Sequence, residues 1–288
     1  MAIPSNPTVT AIVTEGLKRG GRVTPSATQI SDATEHQFRE VKSDIMRVAS
    51  THPYLQVNAT TSTVKGEQRY ALPDNANMPV SVVLLNGPDN YRGVVQAGTA
   101  SSVTLDSDFP AGDDEIIGHY VLLTAGTGAG QYRQIRDYVA STKVATISPD
   151  WTITPDVTSE FLVVNDTRYL WPWDTASELD KEWFSLQLGT PHRASQFSDE
   201  FLLYPVPDRV YGLLFRYYVD LDRLDDATAL FLNLLREWRS IWIQGVAVKT
   251  MQRYDEDRYQ TELGVYQIML DQLANQTATV SALQYRDL

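Results

Sequence analysis

The stretch TAGTGAGQYRQIRDY, from Thr124 to Tyr138, decides between two folds. Three glycines at alternate positions, Gly126, Gly128 and Gly130, follow the apolar run Tyr120–Leu123. Many nucleotide-binding sites begin this way, but they need a helix next, so that its amides face the phosphate. The residues after Gly130 are instead rich in aromatic and β-branched side chains, and no Gly-Lys-Ser/Thr follows. We therefore predict a β-hairpin turn with glycines at positive φ angles and no bound nucleotide.

The region around this hairpin lacks helical periodicity and is rich in glycine, threonine, serine and aspartate. Short apolar runs recur there, at Val94–Val95, Val103–Leu105, Tyr120–Leu123, Tyr132–Val139, Val144–Ile147 and Phe161–Val164. Evenly spaced short strands with turn residues between them are typical of a small barrel or sandwich. We predict an inserted all-β domain over residues 87–165, between two parts of a main domain over residues 1–86 and 166–288.

Two helices are predicted to begin the main domain. Asn6-Pro7 would cap the first, which ends at Gly20-Gly21. Ser31 or Asp32 would form a capping box with Glu35 at the start of the second. The second helix has one apolar face at helical spacing, formed by Phe38, Val41, Ile45 and Val48.

Two hairpins are predicted to supply a small sheet. Val57–Val64 would pair with Glu67–Leu72 around a turn. Phe201–Tyr204 would pair, across a proline-rich turn, with the strand that ends near Leu221. That strand has the clearest period-two alternation in the chain, which predicts one face on a core.

Two helices are predicted near the C-terminus. The first carries apolar residues at helical spacing, namely Phe231, Leu234, Leu235, Trp238, Ile241 and Trp242. The second spans Tyr259 to Leu273, where Val265, Ile268 and Met269 widen the apolar stripe. A helix with more apolar surface than one face needs packs against two neighbours, of which one could be another subunit. The tail from Thr277 to Leu288 has no strong pattern, which suits an extended segment.

The composition limits the classes of function. The chain has 288 residues, a net charge of −12 and no cysteine. The excess of acidic residues argues against a strongly cationic surface that binds nucleic-acid phosphates. The lack of cysteine excludes metal sites with thiolate ligands and cysteine nucleophiles. We expect no signal peptide, and no apolar run approaches the roughly 20 residues that span a bilayer.

Catalytic chemistry has little support in the sequence. The histidines are scattered and form no metal-binding pair. Acidic clusters near helix starts are typical of favourable interactions with the helix dipole, and no calcium loop or nucleophile elbow occurs. We therefore predict no catalytic residues, no metal, no cofactor and no enzyme activity.

Aromatic and apolar residues provide candidates for a subunit or partner interface, where tryptophan and tyrosine are enriched. The candidates are Trp171, Trp173, Tyr259, Leu263, Tyr266, Leu270, Tyr285 and Leu288.

Two segments, "EQRYALPDNANMPVSVVLL" (Glu67–Leu85) and "FLLYPVPDRVYGLLFRYYVDLDRL" (Phe201–Leu224), precede the helix pair containing Tyr259 and Tyr266. In these segments, in the helix pair and in the order of its predicted elements, the chain resembles the head-to-tail adaptor (connector) proteins of tailed, especially short-tailed, bacteriophages. The Tyr-x-Leu-Pro end of the first segment and the Tyr-Pro-x-Pro-Asp turn carry the likeness. The resemblance implies an α+β fold with a helical-bundle core and a small antiparallel sheet, beside the inserted all-β domain.

The same resemblance implies a structural virion protein at the head–tail junction, made in the host cytoplasm. Twelve copies would form a ring under the portal protein, with the C-terminal segment reaching toward the portal. The ring would extend the channel through which DNA passes without sequence-specific binding, and it would dock the tail nozzle or tail fibres. No membrane contact is implied.

Two alternatives stay open. One is a tail-associated hydrolase of cell-wall glycans, for which the sequence offers no acid/base pair. The other is a carbohydrate-binding module with Trp151 or Tyr132 as a stacking surface, unless Trp151 simply belongs to a core.

Overall fold

The computed structural model of the chain describes residues 8–22, 24–170, 187–197, 199–224, 228–254 and 257–284. The chain divides into two compact units. The first comprises Met1–Val57, Asp74–Met78 and Tyr218–Leu288, and the second comprises Asn58–Pro73 and Pro79–Tyr217. The predicted boundaries of the inserted domain, residues 87 and 165, stay a prediction.

The first unit contains the α-helices, which are α1 Val9–Arg19, α2 Ala27–Glu35, α3 Gln37–Ala49, α4 Ala229–Glu237, α5 Arg239–Tyr254 and α6 Tyr259–Gln284. Short 3-10 helices lie at Pro53–Leu55 and Leu221–Arg223. Helix α5 is central, because α1, α3, α4 and α6 all pack against it. Its residues Trp242 to Val248 are all buried, as expected for a helix enclosed by several neighbours.

The predicted helix starts are partly wrong. Thr8 caps α1, because its hydroxyl accepts a hydrogen bond from the backbone N–H of Ala11, and the proposed Asn6-Pro7 cap lies outside the described residues. The capping box is formed by Ser26 and Gln29, so Ser31, Asp32 and Glu35 lie inside α2 rather than at a helix start. The Ser-x-x-Gln sequence at Ser26 and Gln29 is a capping-box pattern of the same kind as the predicted one, five residues earlier in the chain.

Helix α3 confirms the predicted apolar face. Phe38, Val41 and Ile45 are buried, and the helix ends at Ala49. At the other end of the chain, the predicted helix through Trp242 is two helices, with the break at Trp238. The expectation of an extended tail is wrong over residues 277–284, which continue α6.

The β-strands are β1 Gln56–Ser62, β2 Arg69–Ala71, β3 Ala76–Asn86, β4 Arg92–Val94, β5 Ala97–Gly98, β6 Ser102–Thr104, β7 Tyr120–Ala125, β8 Tyr132–Val139, β9 Val144–Ser148, β10 Glu160–Val164, β11 Asp166–Tyr169, β12 Leu188–Gly189, β13 Arg193–Phe197, β14 Glu200–Tyr204, β15 Val206–Pro207 and β16 Gly212–Val219. The sheets have the strand orders β1-β16-β3-β11, β4-β10-β7-β8-β9-β6-β5, β13-β14-β2 and β12-β15. The short strands predicted between Val94 and Val164 are therefore confirmed.

The seven-stranded antiparallel sheet curls round its own core. Its edge strands, β4 and β5, are separated only by Val95 and Gln96. Because three peptide steps span roughly 11 Å at most, the two edges of the sheet must approach each other. The enclosed core is built from large buried side chains that include Phe109, Tyr138 and Phe161.

The predicted fold class is wrong. In the described residues the strands form four sheets, and the helices lie mainly near the two ends of the chain rather than in a helical-bundle core with a small sheet. Both predicted hairpins are also wrong, because β1 pairs with β16, while β2 pairs with β14. Hydrophobic periodicity identified the strands, but it carries no information about partners more than a hundred residues away.

Candidate functional site

Half of the residues predicted for an interface lie within the described part of the chain. Trp171, Trp173, Tyr285 and Leu288 lie outside the described residues. The other four, Tyr259, Leu263, Tyr266 and Leu270, all lie on α6. Tyr266 and Leu270 are 2% and 6% exposed, so their side chains contribute to the core of the first unit.

Tyr266 is held in that core by a polar cluster. Its hydroxyl donates to Asp44 Oδ2 at 3.4 Å, and Lys249 Nζ lies 3.1 Å from the same oxygen and 3.4 Å from Glu40 Oε2. Burial, and then the charge of Asp44, raise the pKa of Tyr266 far above its usual value. This environment stabilises a neutral tyrosine that anchors α6 to α3 and α5.

The opposite side of α6 is exposed and carries few charges. We define the outer face of α6 as Thr261, Gly264, Val265, Ile268 and Gln272, which share one side at helical spacing. Ile268 is 59% exposed and Val265 is 38% exposed. Asp271, three residues after Ile268, is exposed on the same side, and it is the one charged residue in the sequence between Leu263 and Gln284. Exposed aliphatic side chains with few charges are the composition found at the centre of protein–protein interfaces.

The glycine-rich turn connects the two strands of a β-hairpin, as the sequence predicts. Strands β7 and β8 pair antiparallel, and Gly126, Gly128 and Gly130 have φ angles of 75°, 79° and 86°. A Cβ on Gly126 would lie 2.0 Å from Thr158 O, so this glycine is also required for close packing. No helix follows the turn, since β8 begins at Tyr132. The geometry of a phosphate-binding turn is therefore not formed here.

The aromatic residues considered for carbohydrate stacking are largely covered. Trp151 is 6% exposed and belongs to the core of the seven-stranded sheet, with the Arg133 guanidinium 5.5 Å from its ring centroid. Tyr132 packs beside Tyr120, with the ring centroids 5.9 Å apart. The interpretation of Trp151 as a core residue is confirmed, and its ring offers no open face to a sugar.

The histidines have separate environments. His36 lies 3.6 Å from Asp32 on an exposed helix surface, and His192 packs on Tyr204. His52 is 6% exposed, and its Nδ1 accepts a hydrogen bond from Tyr54 N at 3.2 Å. In the described ranges, no three residues of the histidine, cysteine, aspartate and glutamate types are placed to hold a metal ion.

A groove of about 1200 Å³ lies in the first unit, along α2 and α3. Its walls include Ile30, Glu35, Phe38 and Arg39. Lys42, also on the wall, is 7% exposed and lies 4.5 Å from the centroid of the Phe231 ring. Charged, hydroxyl-bearing and apolar side chains all line these walls, so the lining favours no single class of ligand.

No protein-family model matches the chain, and no curated protein matches it. Within the part of the chain that the structure describes, no helix is both long enough and apolar enough to cross a lipid bilayer.

Proposed function

We propose that the protein is a structural subunit of a ring at the head–tail junction of a tailed bacteriophage. In this proposal about twelve copies assemble under the portal protein, extend the DNA channel and dock the tail nozzle or tail fibres. The protein carries out no reaction. The resemblance in its sequence segments and the outer face of α6 support the proposal.

The observation that carries the proposal is the two-sided character of α6. Tyr266 and Leu270 bury one side of the helix in the chain's own core, while Val265 and Ile268 are exposed on the other. A ring needs heterologous contacts, in which one patch of a subunit meets a different patch of its neighbour. A long helix with a buried side and an exposed aliphatic side that carries few charges can provide one of those two patches.

The electrostatic balance is compatible with a DNA channel. The chain carries 36 acidic residues against 24 lysines and arginines. Proteins that hold DNA tightly neutralise several phosphates with clustered basic residues, and the affinity then depends steeply on salt. A net negative subunit instead allows DNA to pass without being retained.

The test is a charge placed on the outer face of α6. The variant Ile268→Glu puts a carboxylate where a neighbouring subunit would bury an aliphatic side chain. The matched control is Val157→Glu, since Val157 is 66% exposed in the seven-stranded-sheet region. Particle mass by light scattering and electron microscopy is measured for each protein, alone and with purified portal rings.

Wild type and Val157→Glu are expected to form rings under at least one of these conditions, while Ile268→Glu stays monomeric with an unchanged melting temperature. Wild-type protein that stays monomeric both alone and with portal rings would refute the proposal. Rings formed equally well by Ile268→Glu would exclude the outer face of α6 as the interface.

A further inference from the structure

Two arginines of the second unit share a single carboxylate. Arg92, on β4, and Arg209, before β16, both approach Oδ1 of Asp89. The Arg92 Nη2 atom lies 4.0 Å from that oxygen, and Arg209 Nη1 contacts it directly. Arg209 Nη2 also donates to Asn86 Oδ1 at 3.2 Å. Two cationic groups therefore converge on one anion.

The shared carboxylate is much more exposed than its partners. The side chain of Asp89 is 78% exposed, against 27% for Arg92 and 28% for Arg209. Asp89 lies in the loop between β3 and β4, so its side chain can rotate away without disturbing a strand. An exposed carboxylate on a loop contributes little to stability and exchanges readily with another anion.

The arginines retain unused donor capacity. The Nε and Nη2 atoms of Arg92 and the Nε atom of Arg209 are shielded from solvent, with no hydrogen-bond acceptor among the described residues. Burial of an unpaired guanidinium N–H is unfavourable, and an arginine fork accommodates a carboxylate with two parallel hydrogen bonds. A second oxyanion that replaced Asp89 could use these donors.

The backbone beneath Arg209 is held in place. Thr63 is 1% exposed, its hydroxyl donates to Arg209 O at 3.1 Å, and the same hydroxyl accepts from Tyr211 N at 2.8 Å. The Arg209 guanidinium lies 5.1 Å from the Tyr211 ring centroid. On the other side, Arg92 Nη1 donates to Val210 O at 3.0 Å. Such preorganisation lowers the entropy cost of binding.

We propose that Arg92 and Arg209 form a binding site for a carboxylate side chain of a partner protein, and that Asp89 occupies this site until the partner displaces it. A carboxylate is favoured over the phosphates of a nucleic acid because the internal occupant of the site, Asp89, is itself a carboxylate. This proposal is independent of the ring proposal.

The probe is an acetylated tetraglutamate peptide, with the tetraglutamine peptide as its control. The Nε–H resonances of Arg92 and Arg209 are followed by NMR of the full chain at low ionic strength. Tetraglutamate is expected to shift both resonances saturably, and tetraglutamine is not. Arg92→Gln and Arg209→Gln should each abolish binding, whereas Arg136→Gln, which removes an exposed arginine of β8, should not.

The variant Asp89→Asn distinguishes a binding site at Arg92 and Arg209 from a purely structural ion pair. Removal of the competing charge is expected to tighten tetraglutamate binding about tenfold, since one unit charge a few ångströms away acts at this scale. If Arg92→Gln unfolds the protein, Arg92→Lys is used, which keeps the charge but loses the fork. Unchanged or weaker binding by Asp89→Asn would overturn the proposal, as would an equal loss in Arg136→Gln. Saturable shifts with a single-stranded oligonucleotide but not with tetraglutamate would also overturn it.

Discussion

Gly16 of α1 lies directly against Val246 of α5. A Cβ placed on Gly16 would be 2.6 Å from Val246 Cβ and 3.1 Å from the carbonyl oxygen of Ile243. One turn later, a Cβ on Gly20 would be 3.0 Å from Thr250 Cβ. The two helices therefore approach as closely as their backbones allow, and this contact helps to enclose α5.

Gly16→Ala is expected to destabilise the protein by about 1–3 kcal/mol, the usual cost of forcing an extra carbon into a packed core. This cost is net of the roughly 1 kcal/mol by which alanine favours a helix. The matched control is Gly264→Ala, because a Cβ there meets no atom within 4 Å. That variant should gain up to about 1 kcal/mol. Urea unfolding followed by circular dichroism measures both. A Gly16→Ala protein as stable as Gly264→Ala would contradict the proposed packing.

Gly126, in the turn between β7 and β8, and Gly118, just before β7, form a second matched pair. Gly126 and Gly118 both have positive φ, at 75° and 86°. A Cβ on Gly126 would meet the backbone of Thr158 at 2.0 Å, whereas a Cβ on Gly118 meets nothing within 4 Å. Gly118→Ala should lose about 1–2 kcal/mol from the left-handed backbone alone. Gly126→Ala should lose clearly more, because the backbone of Thr158 must move.

Thermal unfolding of the two variants compares the backbone and packing terms directly, and equal losses would show that the contact with Thr158 is unimportant. Gly128→Val is likewise expected to damage this region, since Gly128 has a φ of 79°. Calorimetric titration of the wild type with ATP or NAD should give no binding. Measurable affinity would contradict the interpretation of these glycines as residues required only for backbone geometry.

Periodicity in the sequence located most elements but not their partners. The strands from Val94 to Val164 could be predicted because each is short and bounded by turn residues, and most pair with near neighbours. By contrast, β2 pairs with β14, about 130 residues later, and no local pattern indicates this. The end of α6 could not be predicted because residues 277–284 have no strong apolar pattern. In the structure Thr277 is buried, and its hydroxyl donates to Leu273 O within the helix.

The candidate sites were less accessible to prediction than the strands. The width of the apolar stripe on α6 was visible in the sequence, but which residues face the core was not. In the structure Tyr266 and Leu270 are buried, whereas Val265 and Ile268 are exposed. Arg92 and Arg209 are 117 positions apart, and neither belongs to a motif. Only the fold brings both guanidinium groups to Asp89.

The buried phenol of Tyr266 predicts a loss of stability at alkaline pH. Its pKa is raised from 10.0 in the folded state, chiefly by burial. Because the pKa is raised in the folded state, the contribution of Tyr266 to the free energy of unfolding is fully present below the pKa of the unfolded chain, near pH 10. This contribution is lost as the pH rises above that value. The stability difference between wild type and Tyr266→Phe should therefore shrink from pH 9 to pH 11. A constant difference across that range, measured by urea unfolding, would contradict the proposed environment.

His52 predicts the opposite trend, on the acid side. Its ring is buried against Trp238, with the centroids 5.2 Å apart, and its Nδ1 accepts the N–H of Tyr54. Burial lowers the pKa of His52 below its usual value of 6.5. Protonation of His52 would turn Nδ1 into a donor that faces another donor, the N–H of Tyr54. The hydrogen bond that caps the 3-10 helix at Pro53–Leu55 would then be lost.

Because the pKa of His52 is lower in the folded state, the unfolded chain binds the proton more tightly. The contribution of His52 to the free energy of unfolding is therefore fully present above pH 6.5 and decreases as the pH falls below that value. His52→Asn keeps a side-chain acceptor but cannot titrate in this range. The advantage of wild type over this variant should shrink between pH 7.5 and pH 5, by at most about 1.4 kcal/mol for each unit by which the pKa is lowered. His36→Asn, which changes a side chain that is 57% exposed, should retain the acid-side loss that His52 causes. Parallel urea-unfolding profiles of wild type and His52→Asn over this range would show that His52 is not held neutral by the fold.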